Sequence, residues 1–349
     1  MEFLSEYGLF LAKAVTWVIA IAIIVGLIAG ATMKPKGEAK GSIEVENIND
    51  KYIDLEENLQ ASVLSEAEFK QWLKDLKNKE KEEQKQQKAA LKQGSVSHKP
   101  RAFILDFDGD MRASDTDNLR EEITTALMIA ESNDEFVVRL ESGGGLVHSY
   151  GLAASQLDRI KQAGIPLTVC IDKVAASGGY MMACVADKII AAPFSVLGSI
   201  GVVAQVPNIH RLLKHNKVDV ELHTAGEHKR TLTMLGENTS KARKKFQEDL
   251  EDTHVLFKDF VASHRPAVDI HEIATGDVWY GTQALEHKLV DKIQTSDDYI
   301  SSLVKDYDVF EVHYKEKKTL LDKLGLTAEA SLSRAFDKVL ERLTLERFF

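Results

Sequence analysis

Short apolar runs alternate with longer amphipathic segments over residues 101–192, and this rhythm constrains the fold more than any other feature of the sequence. The apolar runs predict strands at 102–107, 136–140, 167–171 and 188–192, and the segments between them have helical spacing at 116–130 and 150–163. Strands that lack an alternating polar face are buried on both sides, and the helices between them return the chain to a parallel neighbour. The sequence therefore predicts an α/β domain with buried, largely parallel strands.

Beyond this region the pattern predicts a short helix at 178–184, a glycine turn at 198–201, a strand at 218–224 and a long helix at 239–264. At the other end of the chain, residues 50–92 are dominated by Glu, Lys, Gln, Leu and Ala, which is typical of a long charged helix.

The run Ala14–Ala31 contains no charged residue and is close to the length that spans a bilayer, about 20 residues. Glu2 and Glu6 do not fit the positive start of a cleaved signal peptide, so we predict an uncleaved anchor. Lys34 and Lys36 follow the run, and this bias favours a cytoplasmic location for the rest of the chain.

These patterns divide the chain into four predicted segments. They are an N-terminal membrane anchor (1–36), a charged helical stalk and linker (37–99), the α/β domain (100–315) and a C-terminal amphipathic helical extension (316–349).

Composition excludes two broad classes of function. A net charge of −10 argues against a general nucleic-acid-binding protein, which needs clustered Lys and Arg. Cys170 and Cys184 flank one short segment and indicate neither a disulfide framework nor a metal site, and there is no HExxH sequence.

The segment Ala175–Tyr180, with the sequence AASGGY, follows an apolar strand and predicts a tight turn that presents Ser177. A helix that opens just after the serine would point free N–H groups at a bound carbonyl oxygen, as a nucleophile requires. The alternative is that Ser177 only caps the helix that follows, which is a common role of serine.

A second glycine cluster, Ser142–Gly145, follows the strand at 136–140 and would let a peptide approach backbone N–H groups. Such clusters also serve ordinary turns between a strand and a helix. The candidate bases for a nucleophilic serine are His148, His210, His215, His223, His228 and Lys229. Local spacing selects none of them, and a lysine would need burial that lowers its pKa from about 10.4 towards 7 to 8.

Four motifs occur in one order along the chain: VAASGGY at 174–180, ADKI at 186–189, GSIGV at 198–202 and GxxKR at 226–230. In this arrangement the chain resembles the signal peptide peptidase A (S49) family of serine peptidases, from the first residues to about residue 315. The resemblance implies a ClpP/crotonase-like α/β fold for the segment 100–315 and a Ser–Lys dyad.

Carried over residue by residue, the resemblance makes Ser177 the nucleophile and Lys229 the general base, with Ser199 as a supporting hydrogen-bond partner of the lysine. It places the oxyanion hole at the backbone N–H groups of Gly144 and Gly178. The family commonly has Ser-Pro-Gly-Gly in the first glycine loop, and Gly143 stands here in the position of the proline. A second departure is Lys288, where family members usually carry glycine.

The resemblance further implies peptide bond cleavage through an acyl-enzyme, with extended apolar peptides or unfolded proteins as substrates. It implies no cofactor and no metal, homo-oligomers whose dyads are completed near subunit boundaries, and a single-pass location in the bacterial inner membrane. It leaves open a periplasmic location of the catalytic domain, the alternative to the cytoplasmic one that the lysines favour. The lipid bilayer would be contacted through the N-terminal helix.

Two other functions are compatible with parts of the sequence. A membrane-anchored scaffold could use the same fold without catalysis. The segment Ile104–Asp110 is similar to the first motif of haloacid-dehalogenase phosphatases, with Asp106 and Asp108 as the acidic pair, but this reading leaves the serine turn unexplained. The same aspartates do not fit the spacing of an EF-hand loop.

Overall fold

A computed structural model of the protein describes residues 15–17, 41–92 and 99–316. The chain divides into a unit of residues Met1–Ser42 and a unit of residues Ile43–Phe349, and the site discussed below belongs to the second. Most of the predicted span at 14–31 and the extension at 316–349 lie outside the described residues. Within the described ranges, none of the helices combines the length and the apolar character that crossing a membrane requires.

Ten strands form one mixed sheet whose main path runs β1-β10-β2-β3-β4-β6-β9. Their bounds are β1 Gly41–Asn47, β2 Arg101–Gly109, β3 Glu135–Ser142, β4 Leu167–Ile171, β5 Val174–Ala176, β6 Lys188–Ala191, β7 Val196–Gly198, β8 Val278–Tyr280, β9 Lys292–Ile293 and β10 Asp308–Glu316. Every pairing from β10 to β9 along this path is parallel. The predicted α/β class with largely parallel strands is therefore confirmed.

The helices lie between and beyond these strands. Their bounds are α1 Ile48–Val63, α2 Glu66–Lys92, α3 Thr116–Leu127, α4 Val147–Gln162, α5 Gly178–Ala183, α6 His210–His215, α7 Ser240–His264, α8 Ile270–Ile273, α9 Gly281–Glu286 and α10 Ser296–Leu303. The charged segment predicted as one long helix is two helices, α1 and α2, and the residues just before them form β1 of the sheet.

The central strands are buried on both faces because their side chains alternate between two apolar clusters. On β2, Phe103, Leu105 and Phe107 belong to the larger cluster. Ala102 and Ile104 belong to the smaller one on the opposite side. The sequence pattern of continuous apolar residues thus reflects helices and loops that cover both faces of the sheet.

A short branch of the sheet determines the position of the serine turn. Strand β5 pairs with β3 at Ser142↔Ala175 and continues beside β7, which in turn pairs with β8 in the antiparallel direction. The glycine loop after β3, the serine after β5 and the turn after β7 therefore end at one edge of the sheet.

The prediction of a strand at 218–224 is wrong, because these residues have no regular secondary structure. Val218, Val220 and Leu222 alternate with polar residues but are all substantially exposed. An alternating segment becomes a strand only where a neighbouring strand accepts its hydrogen bonds. None of the strands in the described part of the chain lies beside it.

Candidate active site

The backbone at Ser177 has an unusual conformation. Ser177 stands between β5 and α5 with φ 53° and ψ −118°. Its N–H donates to the carbonyl oxygen of Gly198 at 2.8 Å, and its own carbonyl oxygen accepts from the N–H of Met181 at 3.0 Å. Its side chain makes no capping hydrogen bond with the helix. The alternative that Ser177 serves as a helix cap is therefore wrong.

A residue other than glycine at positive φ carries strain of about 1–3 kcal/mol, and such strain persists only where the surrounding structure imposes it. A strained turn from a strand into a helix lifts a serine hydroxyl out of the backbone and exposes it to a substrate. Ser177 is half-buried at this turn, and its side chain is free of the capping role. This backbone geometry is the one expected of a nucleophilic serine, the role that the sequence predicts for Ser177.

Ser199 lies beside Ser177 because the parallel pairing of β5 and β7 brings Ala176 opposite Gly198. Ser177 directly follows Ala176 and Ser199 directly follows Gly198, so the two serines leave the paired strands side by side. Ser199 also has a positive φ, 51°, and its N–H donates to the carbonyl oxygen of Asp277 at 2.6 Å. The structure thus brings together the predicted nucleophile and the predicted supporting serine.

The two glycine turns are in direct contact. A Cβ placed on Gly144, whose φ is +85°, would lie 2.7 Å from the backbone N of Gly178 and 2.7 Å from Cβ of Ser177. A Cβ on Gly178 would lie 2.4 Å from Cγ of Tyr150. Both positions require glycine for lack of space, and Gly144 also for its backbone conformation. The N–H of Gly144 donates to Oγ of Ser142 at 3.1 Å, so this predicted oxyanion donor is engaged within the protein.

A small cavity opens at Ser177. It is lined by Gly145, Val147, Ser177, Gly178, Met181, Gly201, Val202, Thr253 and Phe257. Thr253 and Phe257 are four residues apart on α7 and so face the same side of that helix. His254 on the same helix lies with Nε2 3.2 Å from the carbonyl oxygen of Ile200, which connects α7 to the turn beside the serine.

Sequence reasoning missed the apolar residues of this cavity. Helical spacing places Thr253 and Phe257 on one face of α7, but no local pattern indicates which part of the molecule that face contacts. Val147, Met181 and Val202 likewise belong to segments whose pattern is that of ordinary core packing.

Lys229 is not part of this cluster. Its side chain is exposed, and within the described residues it makes no hydrogen bond to Ser177. The five candidate histidines are also not in the position that a general base for Ser177 requires. His148 is exposed on α4, and the others lie with Lys229 in the largely exposed segment 202–239. The structure brings Ser177, Ser199, Gly144 and Gly178 together and leaves the predicted base apart.

The carboxylate of Asp106, the predicted nucleophile of the phosphatase interpretation, is already partnered. Arg139 donates to both carboxylate oxygens of Asp106, at 2.5 and 2.6 Å, and to Glu311 at 2.6 Å. Asp106, Glu311 and His313 have ligand atoms within 4.8 Å of one another, but the guanidinium already occupies two of these groups. A nucleophilic aspartate or a cation would have to displace Arg139, so the phosphatase interpretation has no support in this geometry.

Two family models match successive parts of the chain. "Peptidase family S49 N-terminal" matches residues 2–157, and "Peptidase family S49" matches residues 159–309. The second match contains Ser177, Ser199 and Lys229, whereas the glycine loop at 142–145 lies in the first.

Similar proteins are named as proteases. The "Probable protease SohB" of Haemophilus influenzae is 51% identical over 95% of this chain and 94% of its own length. The protein of the same name from Buchnera aphidicola subsp. Schlechtendalia chinensis is 50% identical over 86% of this chain and 100% of its own. A solved structure of a mutant of the "1510-N membrane-bound stomatin-specific protease", in complex with a substrate peptide, aligns with 65% of this chain and 96% of its own, at 13% identity and a TM-score of 0.39. The predicted resemblance is confirmed by the sequence relatives, and the chain belongs to peptidase family S49.

Proposed function

We propose that this chain is a membrane-anchored serine endopeptidase with Ser177 as the nucleophile and Lys229 as the general base. The observation that carries the proposal is the strained backbone of Ser177, which has a positive φ and no capping bond at a strand-to-helix turn. Strained backbone of this kind is found most often at active sites and ligand-binding sites.

The proposed reaction is acyl transfer. Lys229 Nζ accepts the proton of Ser177 Oγ as the oxygen bonds to the peptide carbonyl carbon. The N–H of Gly178, the residue after the nucleophile, stabilises the negative charge on the carbonyl oxygen. The loop of Gly144 faces this N–H, and the N–H of Gly144 itself stays bonded to Oγ of Ser142. The C–N bond then breaks, the lysine returns the proton to the leaving amine, and water hydrolyses the ester by the reverse route.

We propose extended apolar peptides as substrates, such as remnants of signal peptides or segments of membrane proteins. Support comes from the apolar side chains of Val147, Met181, Val202 and Phe257 around the cavity at the serine. An apolar pocket with few polar groups favours apolar side chains next to the cleaved bond.

We propose that Lys229 reaches Ser177 when copies of the chain assemble. A lysine acts as a base only where burial removes water from its ammonium group, and the side chain of Lys229 is exposed in the single chain. The segment around it also exposes apolar side chains that a partner would cover, among them Leu212, Val218, Val220, Leu222 and Met234. Homo-oligomers are therefore part of the proposal.

We propose further that the sheet and its β5-β7-β8 branch form a ClpP/crotonase-like fold, and that residues 14–31 anchor the protein in the bacterial inner membrane. The uncharged run supports the anchor, and the lysines after it favour a cytoplasmic catalytic domain. Membrane fractionation of cells, with a reporter fused to the C-terminus, tests the anchor and the side of the membrane together.

The decisive experiment is labelling of the full-length protein, purified in detergent, with a fluorophosphonate probe. We expect labelling of the natural protein and its loss in both Ser177→Ala and Lys229→Ala. Matched controls are Ser155→Ala, an exposed serine on α4, and Lys241→Ala, an exposed lysine that pairs with Glu227 at 2.8 Å. Both controls are expected to label normally.

The scaffold without catalysis is the competing function, and the exposed position of Lys229 is the observation that favours it. It predicts no labelling of a folded protein at any pH from neutral to alkaline. That outcome, or labelling that survives Ser177→Ala, would overturn the peptidase mechanism proposed for this site.

A further inference from the structure

A buried chain of hydrogen bonds lies beneath the two glycine turns. The N–H of Gly144 donates to Oγ of Ser142 at 3.1 Å, Oγ of Ser142 lies 2.5 Å from the hydroxyl oxygen of Tyr150, and that hydroxyl donates to the carbonyl oxygen of Asp110 at 2.7 Å. Tyr150 is fully buried and Ser142 nearly so. Hydrogen bonds in such surroundings are strong, and breaking one leaves a buried polar group without a partner.

The acceptor at the end of the chain determines which group donates in each hydrogen bond. The carbonyl oxygen of Asp110 can only accept, so Tyr150 uses its single proton there. Ser142 must then donate its proton towards Tyr150, and its lone pairs are left to accept the N–H of Gly144. Its contact with the carbonyl oxygen of Gly109, at 3.3 Å, is longer and shares the same proton. The chain therefore runs in one order, from Gly144 through Ser142 and Tyr150 to Asp110.

Tyr150 also supports the serine turn through its ring. A Cβ on Gly178 would lie 2.4 Å from Cγ of Tyr150, which means that the backbone after the nucleophile rests directly on the ring. The hydroxyl of the same side chain fixes the loop that carries Gly144, and Gly144 in turn abuts Ser177. One side chain thus contacts or controls both turns that surround the nucleophile.

The backbone of the glycine loop needs hydrogen bonds, among them those of Ser142 and Tyr150, to hold one conformation. Three successive glycines, at 143–145, have no side chains that restrict their backbone angles. The orientation of the peptide groups in this loop therefore depends on the contacts it makes. These include the hydrogen bond from Gly144 to Ser142 and, at the end of the loop, that from the N–H of Leu146 to the carbonyl oxygen of Met111.

We propose that Ser142 and Tyr150 are positioning residues for acylation of Ser177, acting by fixing the loop of Gly144 against the nucleophile. The inference rests on the proposed peptidase function. Positioning acts on the transition state more than on binding, so it is expected to change the rate of acylation rather than the affinity for the probe or substrate.

The test is the kinetics of fluorophosphonate labelling, with Tyr150→Phe and Ser142→Ala compared with the natural protein. Tyr150→Phe keeps the ring beneath Gly178 and removes only the hydroxyl. We expect the maximal labelling rate to fall about 10- to 100-fold in each variant, with the half-saturating probe concentration within about threefold of the natural value. The double variant is expected to be no slower than the slower single variant, because both changes break the same chain.

Tyr180→Phe is the matched control. Tyr180 is also fully buried, and its hydroxyl donates to a backbone carbonyl, that of Leu289, at 2.9 Å. We expect its maximal labelling rate to stay within about threefold of the natural rate while its melting temperature falls as much as that of Tyr150→Phe.

Three results would overturn the proposal: natural rates in the Tyr150 and Ser142 variants, an equal loss in Tyr180→Phe, or effects of the two single changes that multiply in the double variant. If Tyr150→Phe does not fold, Ser142→Ala alone gives the same decision. Failure of the proposed function is distinct, because the natural protein itself would then not label.

Discussion

The backbone strain at Ser177 should be measurable as a difference in the free energy of unfolding between two variants. Glycine adopts a φ of 53° without strain, whereas alanine keeps the Cβ that makes this conformation unfavourable. We expect Ser177→Gly to be more stable than Ser177→Ala, with a free energy of unfolding about 1 kcal/mol larger. This figure allows for the larger entropy of glycine in the unfolded chain. Urea denaturation in detergent measures the difference.

Ser155 on α4 provides the control for this comparison, because its backbone is helical and its side chain is exposed. At Ser155 glycine should be less stable than alanine by about 1 kcal/mol, the opposite sign. If Ser177→Ala proves at least as stable as Ser177→Gly, the backbone there is not strained and the main argument for a presented nucleophile fails.

Glu122 on α3 should make stability depend on pH. It is buried, one carboxylate oxygen accepts the N–H of Tyr314 at 2.7 Å, and the other has no partner among the described residues. Burial raises the pKa of Glu122 to about 7, with a further contribution from Asp115 and opposing ones from Tyr314 and His313. The folded state therefore holds this proton more tightly than the unfolded chain does.

Because the folded pKa is raised, the stabilisation from protonated Glu122 is complete below about pH 4.5 and is lost as the pH rises through about 7. The loss is on the order of 3 kcal/mol by pH 8. Glu122→Gln should remove this decline in the free energy of unfolding, whereas Glu121→Gln at the half-buried neighbouring position should retain it. Denaturation at a series of pH values from 5 to 9 compares them, and an unchanged profile in Glu122→Gln contradicts the assignment.

The packing of α5 against α4 predicts opposite effects for two glycines. Gly178 opens α5 with no room for a Cβ, whereas a Cβ on Gly151 within α4 would have no atom within 4 Å. Gly178→Ala should lower the free energy of unfolding by about 1–3 kcal/mol and abolish probe labelling. Gly151→Ala should raise it by about 0.5–1 kcal/mol, because alanine favours a helix. Equal effects of the two changes would mean that the Tyr150 ring does not restrict the serine turn.

Sequence pattern predicted the long central strands because each buries a continuous apolar run. The prediction at 167–171 coincides with β4, and that at 136–140 lies within β3. It did not predict β5, β7 or β8, each of three residues, since so short a segment shows no period and becomes a strand only through its neighbours. The same dependence on neighbours explains why the alternating residues 218–224 did not form the predicted strand.

The candidate site was predictable to the extent that it is local. Gly178 and Ser177 are adjacent in sequence, so turn chemistry predicts them together. Ser199 was predicted from the family resemblance alone, and it is the pairing of β5 with β7 that places it beside the serine. Ser142 stood out only as the first residue of a glycine cluster and Tyr150 gave no signal, because their contact joins two different segments. Lys229 is placed by no element of the sheet, and a single chain gives its segment few partners.

If assembly brings Lys229 of one copy to Ser177 of another, two inactive variants should restore activity to each other. In randomly mixed assemblies of Ser177→Ala and Lys229→Ala chains at equal amounts, half the sites have the serine and half of those face a subunit with the lysine. About a quarter of all sites should then label with the fluorophosphonate probe, rising to about a half for a dimer, because purification through both tags removes the unmixed assemblies. Co-expression with two different tags, purification through both, and quantitative labelling give the measurement.

The control for this mixing experiment replaces the Ser177→Ala partner with the double variant Ser177→Ala, Lys229→Ala, which supplies no lysine and should give no labelling. The label itself should appear only on the Lys229→Ala chains, because these alone retain Ser177. A mixed assembly that stays unlabelled, while the natural protein labels fully, would show that each chain supplies both residues of its own dyad. The exposed segment around Lys229 would then have to fold back onto the serine turn of the same chain.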